Sequence, residues 1–168
     1  MNFKFCAECG AKLILKQAGD DGLVPFCDKC SKYYFDIFPT CVIALVYNEF
    51  NEVAVLRQSY LSDKYATFVA GYIHPNENAE NSILREIKEE LGLDVISLEF
   101  VLSNWFSQKE ILMLGYFAHV KKADFVLSSE VDSAHWITLA EVPNVIFPEN
   151  PDNTAFALYK KFLELKLK

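Results

Sequence analysis

Apolar positions along the chain follow two rhythms, one for strands and one for helices. Residues 41–47 (Cys-Val-Ile-Ala-Leu-Val-Tyr) are a continuous apolar run, which predicts a strand buried on both faces, with Cys41 a packed thiol. The polar stretch Asn48–Glu52 turns the chain into residues 53–56, a second strand paired with the first. Residues 67–70 read as a further strand, and 95–105 and 111–118 as two more, joined by the polar turn Ser107-Gln-Lys-Glu110. Between them Ile83, Leu84, Ile87 and Leu91 recur at helical spacing, predicting an amphipathic helix over about 78–91. Gly71 stands before it where a tight turn is expected, and Gly92 after it where a C-cap glycine belongs. Residues 139–145 read as a short helical piece interrupted at Pro143. Asp152-Asn-Thr then opens a terminal helix with Ala155, Leu158, Phe162 and Leu165 near one face. There is no repeat and no low-complexity linker. Strands around one central helix, with a closing helix, predict an α/β (α+β) domain whose mixed sheet lies between helices.

The first 38 residues follow neither rhythm. They hold four of the five cysteines, as Cys6-Ala-Glu-Cys9 and Cys27-Asp-Lys-Cys30, with seventeen residues between the pairs. That is the spacing of a four-cysteine zinc site. Weak alternation over Lys12–Lys16 and the turn Gly19-Asp20-Asp21-Gly22 predict a β-hairpin between two knuckles, hence a zinc ribbon. The metal replaces a core that so short a segment cannot build. Two disulfides are the competing reading. Four thiolates leave no open coordination position, so the zinc is expected to be structural. The domain division is then 1–38, zinc ribbon, and 39–168, the main domain.

Composition narrows the class. The 168 residues are 52% hydrophobic, 14% aromatic and 23% charged, the profile of a globular protein. No apolar run has the length of a membrane span, and the N-terminus lacks a signal-peptide plan, so a cytoplasmic protein without a membrane partner is expected. The formal net charge of -7 argues against a general binder of nucleic-acid backbone. An acidic enzyme still takes anionic substrates when metal ions supply positive charge.

The acidic residues concentrate where the chemistry is expected. Glu86, Glu89 and Glu90 fall on one flank of the helix, beside its apolar stripe. Such carboxylates repel one another unless a divalent cation with a taste for hard oxygen, such as Mg²⁺, gathers them. Arg85 lies beside this flank and is placed to reach back to Glu77 in the preceding loop. Read as spacing, the stretch is Gly71, five residues, Glu77, seven residues, then Arg85-Glu86-Ile87-x-Glu89-Glu90-x-Gly92-Leu93. Every position of this pattern resembles the Nudix box, and the resemblance implies an α/β/α sandwich and hydrolysis of a nucleoside diphosphate linked to another group.

On that resemblance Glu86, Glu89 and Glu90 hold Mg²⁺ or Mn²⁺, Arg85 supports them, and Glu89 is a candidate base. Gly71, Glu77 and Gly92 shape the box. Glu130, ahead of Ala134-His-Trp136, is either a fourth metal ligand, as in the family pattern, or an exposed loop acid. A four-cysteine ribbon joined to a Nudix domain is similar to the NADH pyrophosphatases, which split NAD(H) into NMN(H) and AMP; some of them remove NAD caps from RNA. By position, Phe35 then matches a substrate-contacting aromatic, and Ala70 a metal-binding backbone carbonyl. The substrate motif of that group, Ser-Gln-Pro-Trp-Pro-Phe-Pro-x-Ser before Leu-Met, corresponds to Ser103-Asn-Trp105-Phe106-Ser-Gln-Lys-Glu-Ile before Leu112-Met113. The serine and two aromatics remain, and all three prolines are absent. Trp105 and Phe106 either stack on a base or pack the core. His74, His119 and His135 share no spacing and read as ordinary surface or edge residues. The resemblance further implies a homodimer. FAD and ADP-ribose are alternative substrates, and a non-catalytic nucleotide sensor is the competing class of function.

Overall fold

The computed structural model describes residues 3–166, and it divides into two compact units at the Phe38–Pro39 peptide. The first unit is a three-stranded antiparallel sheet in the order β1 (Ile14–Gln17), β2 (Leu23–Cys27), β3 (Lys32–Tyr33). Ile14 pairs with Phe26 and Gln17 with Leu23, and a short 3-10 turn at Gly19–Asp21 closes the hairpin. β1 is exposed along its whole length, so this sheet buries little apolar surface of its own. The two CxxC segments, one before β1 and the other running from the end of β2, converge.

The second unit is built on a six-stranded sheet. Its strands are β4 (Thr40–Tyr47), β5 (Val53–Arg57), β6 (Val69–Tyr72), β7 (Val95–Phe106), β8 (Ile111–Val120) and β9 (Ser133–Ile137). The order is β7-β8-β4-β5-β9, with β6 also paired to β4. β4 and β8 run parallel and the other neighbours antiparallel, so the sheet is mixed. Central β4 is buried from Cys41 to Val46, as its unbroken apolar sequence requires.

Helices cover both faces, α1 (Ala79–Leu91) one and α3 (Thr154–Lys166) the other. On α1 the fully buried Ile83, Ile87 and Leu91 pack with Val42, Ala44 and Val69. Each such side chain contributes about 2–3 kcal/mol by leaving water. The helix starts at Asn78, whose side chain accepts from the Asn81 amide at 2.7 Å. It ends at Gly92, whose φ of 73° suits glycine and whose N–H bonds Lys88 O at 3.0 Å. On α3, Leu158 and Phe162 are fully buried against Phe117 and Leu45 of the opposite face of the sheet.

Two local expectations change. Gly71 is in the middle of β6, paired with Val42, and not in a turn. Its lack of a side chain answers to a neighbour described below. Pro143 lies in the first turn of the short α2 (Val142–Val145) instead of interrupting it. Proline lacks only an N–H that a first helical turn leaves unbonded anyway.

Candidate active site and cysteine cluster

The loop and helix of the box are tied by Arg85. Its Nε and Nη2 donate to Glu77 Oε1 and Oε2 at 2.9 and 3.0 Å, a two-pronged ion pair. Nη2 also donates to Tyr72 O at 3.2 Å, linking α1 to the end of β6. Arg85 beside Glu77 holds its carboxyl down at about 2. The second fork nitrogen, Nη1, donates to Glu86 Oε1 at 2.7 Å and Glu89 Oε2 at 3.0 Å. Arg85 thus orients three of the four acids of the motif.

Glu86 lies against the backbone of β6. A Cβ built at Gly71 would stand 1.9 Å from Glu86 Oε1 and 2.1 Å from its Cδ. Only glycine leaves the carboxylate this room. One turn on, Glu90 is 4% exposed. Its Oε1 accepts from Gln58 Nε2 at 2.8 Å, and its Oε2 is buried without a hydrogen-bond partner. Burial, and then the nearby charge of Glu86, pushes Glu90 up to about 8, and Glu130 adds to the rise. Burial also raises Glu86.

These groups line one cavity of about 1030 Å³. Glu86, Glu90, Glu130, Ala70 and Gly71 contribute to it, together with Phe106. Glu89, Ser103 and Trp105 do not line it: Glu89 is exposed at the outer side of Arg85. Trp105 follows the alternation of β7, which sends neighbouring side chains to opposite faces, so Trp105 and Phe106 cannot clamp one base between them. Phe35 belongs to the first unit and is exposed. Glu130 is both exposed and close enough to Glu90 to act on its charge, so the two descriptions left open for it are compatible.

A buried carboxylate oxygen with no partner, in a cavity shared with Glu86 and Glu130, offers a donor to a hard divalent cation. An unsatisfied group of this kind otherwise costs about 1–3 kcal/mol. The residues present therefore fit a hard divalent cation. Several neighbours escaped the sequence reading: Gln58, Tyr60, Phe147 and Lys109 all line the cavity. Desolvation and the charges of Glu90, Glu130 and Glu86 raise the Tyr60 hydroxyl, which places it by the same acids. Gln58, Tyr60 and Phe147 come from loops or strand ends with no motif of their own, and Lys109 stands where the compared substrate motif has a proline.

In the first unit the Sγ atoms of Cys6, Cys9, Cys27 and Cys30 lie within 4.8 Å of one another, and all four cysteines are unbridged. Cys6–Cys30 is 3.8 Å and Cys9–Cys27 is 3.6 Å. A tetrahedral ion with thiolate bonds of about 2.3 Å separates its sulfurs by roughly 3.8 Å, so the cluster could hold zinc as it stands. A disulfide would bring a pair to about 2.05 Å. The Tyr34 hydroxyl meets Cys6 Sγ at 2.9 Å and lowers that thiol to about 6. Tyr33 donates to Gln17 O at 2.7 Å, so both tyrosines belong to the ribbon.

Among the described residues no helix is long and apolar enough to cross a membrane. The sequence model of the NUDIX domain matches residues 38–159. The NAD-capped RNA hydrolase NudC of Pseudomonas aeruginosa (strain LESB58) is 30% identical over 142 residues, which cover 83% of this chain and 49% of that protein. Nudix hydrolase 19, chloroplastic, of Arabidopsis thaliana is 33% identical over 150 residues, covering 85% of this chain and 34% of the relative. The chain thus spans about half, or less, of the length of these curated relatives. Among solved structures, a NUDIX hydrolase from Nitrosomonas europaea superposes with a TM-score of 0.71 at 22% identity, over 96% of this chain and 91% of that one.

Proposed function

The chain belongs to the NUDIX family, and from that premise we propose that it hydrolyses the diphosphate bond of a nucleoside diphosphate derivative, foremost NAD(H), giving NMN(H) and AMP. The observation that carries the reaction type is Glu90: a buried carboxylate with an unpartnered oxygen, beside Glu86 and Glu130 in the cavity. Glu86, Glu90 and Glu130, with the Ala70 carbonyl, would hold Mg²⁺ or Mn²⁺. When bound, such ions offset charge building on the diphosphate oxygens and lower the pKa of a coordinated water. Gln58 orients Glu90, and Arg85 orients Glu86 while Gly71 makes room for it. Glu89 is the proposed proton acceptor for the attacking water, a role that requires its exposed side chain to swing from Arg85 into the cavity it does not line. Phe106 supplies an aromatic face for a base or nicotinamide. The cysteine cluster holds a structural Zn²⁺.

The choice of NAD(H) rests on the similarity to NAD-capped RNA hydrolases together with the cysteine ribbon. Those relatives' names also favour a second reading, in which the dinucleotide is the 5′ end of an RNA. A panel assay with Mg²⁺ and with Mn²⁺, across NADH, NAD⁺, NAD-capped RNA, ADP-ribose and FAD, separates these readings. NADH turnover to NMNH and AMP is expected. Turnover of ADP-ribose or FAD with NADH untouched would remove the NAD(H) assignment. Silence across the panel would leave the nucleotide-sensor class.

A further inference from the structure

Part of the cavity wall is made by the turn between β7 and β8. Phe106, Gln108 and Lys109 come from it, followed by Ile111 and Met113 on β8. Among the described residues Lys109 is the one lysine or arginine lining the cavity, against the carboxylates Glu86, Glu90, Glu130, Asp132 and Asp152. Six of the thirteen described lysines pair with an acid, among them Lys122 with Glu52, Lys160 with Glu149 and Lys166 with Glu99. Lys109 has no such partner among the described residues, although it shares its cavity with five acids.

The turn itself holds Lys109 in place. Its backbone N–H donates to Phe106 O at 3.3 Å, and that of Glu110 to Ser107 O at 3.4 Å, with Glu110 at a φ of 52°. Its position is also marked by Cys41 on the cavity floor. Burial pushes that thiol up to about 11, Glu86 adds to the rise and Lys109 opposes it, so both charges stand near the same sulfur. A positive and a negative group therefore flank the start of β4.

We infer that Lys109 is the cavity's resident cation for the phosphate oxygens of the substrate, and that it makes the site select phosphorylated ligands over uncharged nucleosides. This rests on the diphosphate reading above. Divalent ions at the carboxylates relieve repulsion at that end only, and a substrate diphosphate still faces Asp132 and Asp152. An ammonium group in the same cavity, compact and with three donors, meets phosphate oxygens without needing a particular angle. On phosphate oxygens whose charge changes little as the bond breaks, such a contact is made equally in ground and transition state, so the effect expected is on KM and not on kcat.

The test uses the full chain with Lys109→Met, Lys109→Glu and Lys109→Arg. ADP and adenosine binding are followed by calorimetry, alongside kcat and KM for the best substrate of the panel. A charge-assisted contact at a cavity mouth corresponds to roughly a tenfold change. Lys109→Met is expected to weaken ADP and raise KM about tenfold, with adenosine affinity and kcat within about twofold of wild type. Lys109→Glu loses more, and Lys109→Arg recovers most of the loss. ADP affinity unchanged in Lys109→Met, or an equal loss for adenosine, overturns the inference. Failure of the wild type to turn over any diphosphate is a different result: it removes the hydrolase reading, while the ADP isotherms still decide whether Lys109 binds phosphate.

Discussion

Glu86 occupies the space that a side chain at residue 71 would need: an added Cβ would come within 1.9 Å of its carboxylate oxygen. The clash is with the far end of a flexible side chain and not with backbone, so the fold can accommodate it by moving the carboxylate. Gly71→Ala is therefore expected to leave thermal stability within roughly 3 °C of wild type. Activity should nonetheless fall about a hundredfold, because displacing a reactive group by an ångström costs on that order. Thermal melts and kcat/KM on the same preparation check this. A stable variant with full activity would mean that the Glu86 position does not matter.

The Glu77–Arg85 pair makes a prediction about acid. Glu77 is held down at about 2 by Arg85, below the usual carboxylate value near 4.3. A depressed carboxyl contributes stability above its unfolded pKa and loses it as pH falls through the folded one. The stability difference between wild type and Glu77→Gln should be constant above about pH 5 and shrink between about pH 4.5 and 2. Urea midpoints at pH 7, 5, 4 and 3 measure it. A difference that is the same at pH 3 as at pH 7 would show that the pair is not strong in solution.

For the cysteine cluster, purified protein should carry about one zinc per chain. Cys27 is wholly buried, and Cys27→Ser should lower zinc content well below half and unfold the ribbon, with new amide exchange confined to residues 3–38. Metal analysis and hydrogen exchange on the full chain report both. Oxidised thiols with no zinc in the wild type would restore the disulfide reading.

How much of this was legible in the sequence depends on whether a residue's partner is local. The α1 boundaries are written in Asn78, Ile83, Ile87, Leu91 and Gly92, all within one turn or a few turns of each other. The cysteine spacing likewise announces its cluster, and Arg85 reaches Glu77 only eight positions away. Gln58 gave no signal, because its partner Glu90 is 32 residues distant and brought to it only by the packing of α1 on the sheet. Lys109 and Phe147 become visible only when the β7–β8 turn and the segment before α3 face the same cavity. The role of Gly71 was misread as a turn for the same reason: the group that excludes a side chain there is fifteen positions along, on another element. Strand alternation could have separated Trp105 from Phe106, but it was hidden by the family-like pairing of the two aromatics.

The central claim is that the buried acid Glu90 and its neighbour Glu86 form the seat of a metal-dependent diphosphate hydrolase. The most direct measurement compares wild type, Glu86→Gln and Glu90→Gln with the preferred substrate of the panel under saturating Mg²⁺ or Mn²⁺. Both variants keep the size of the side chain, and Glu90→Gln also removes a charge that burial disfavours, so folding should persist. The account predicts that kcat falls roughly a thousandfold or more in each variant while thermal stability without added divalent ions is kept or rises. Full activity in either folded variant would contradict it.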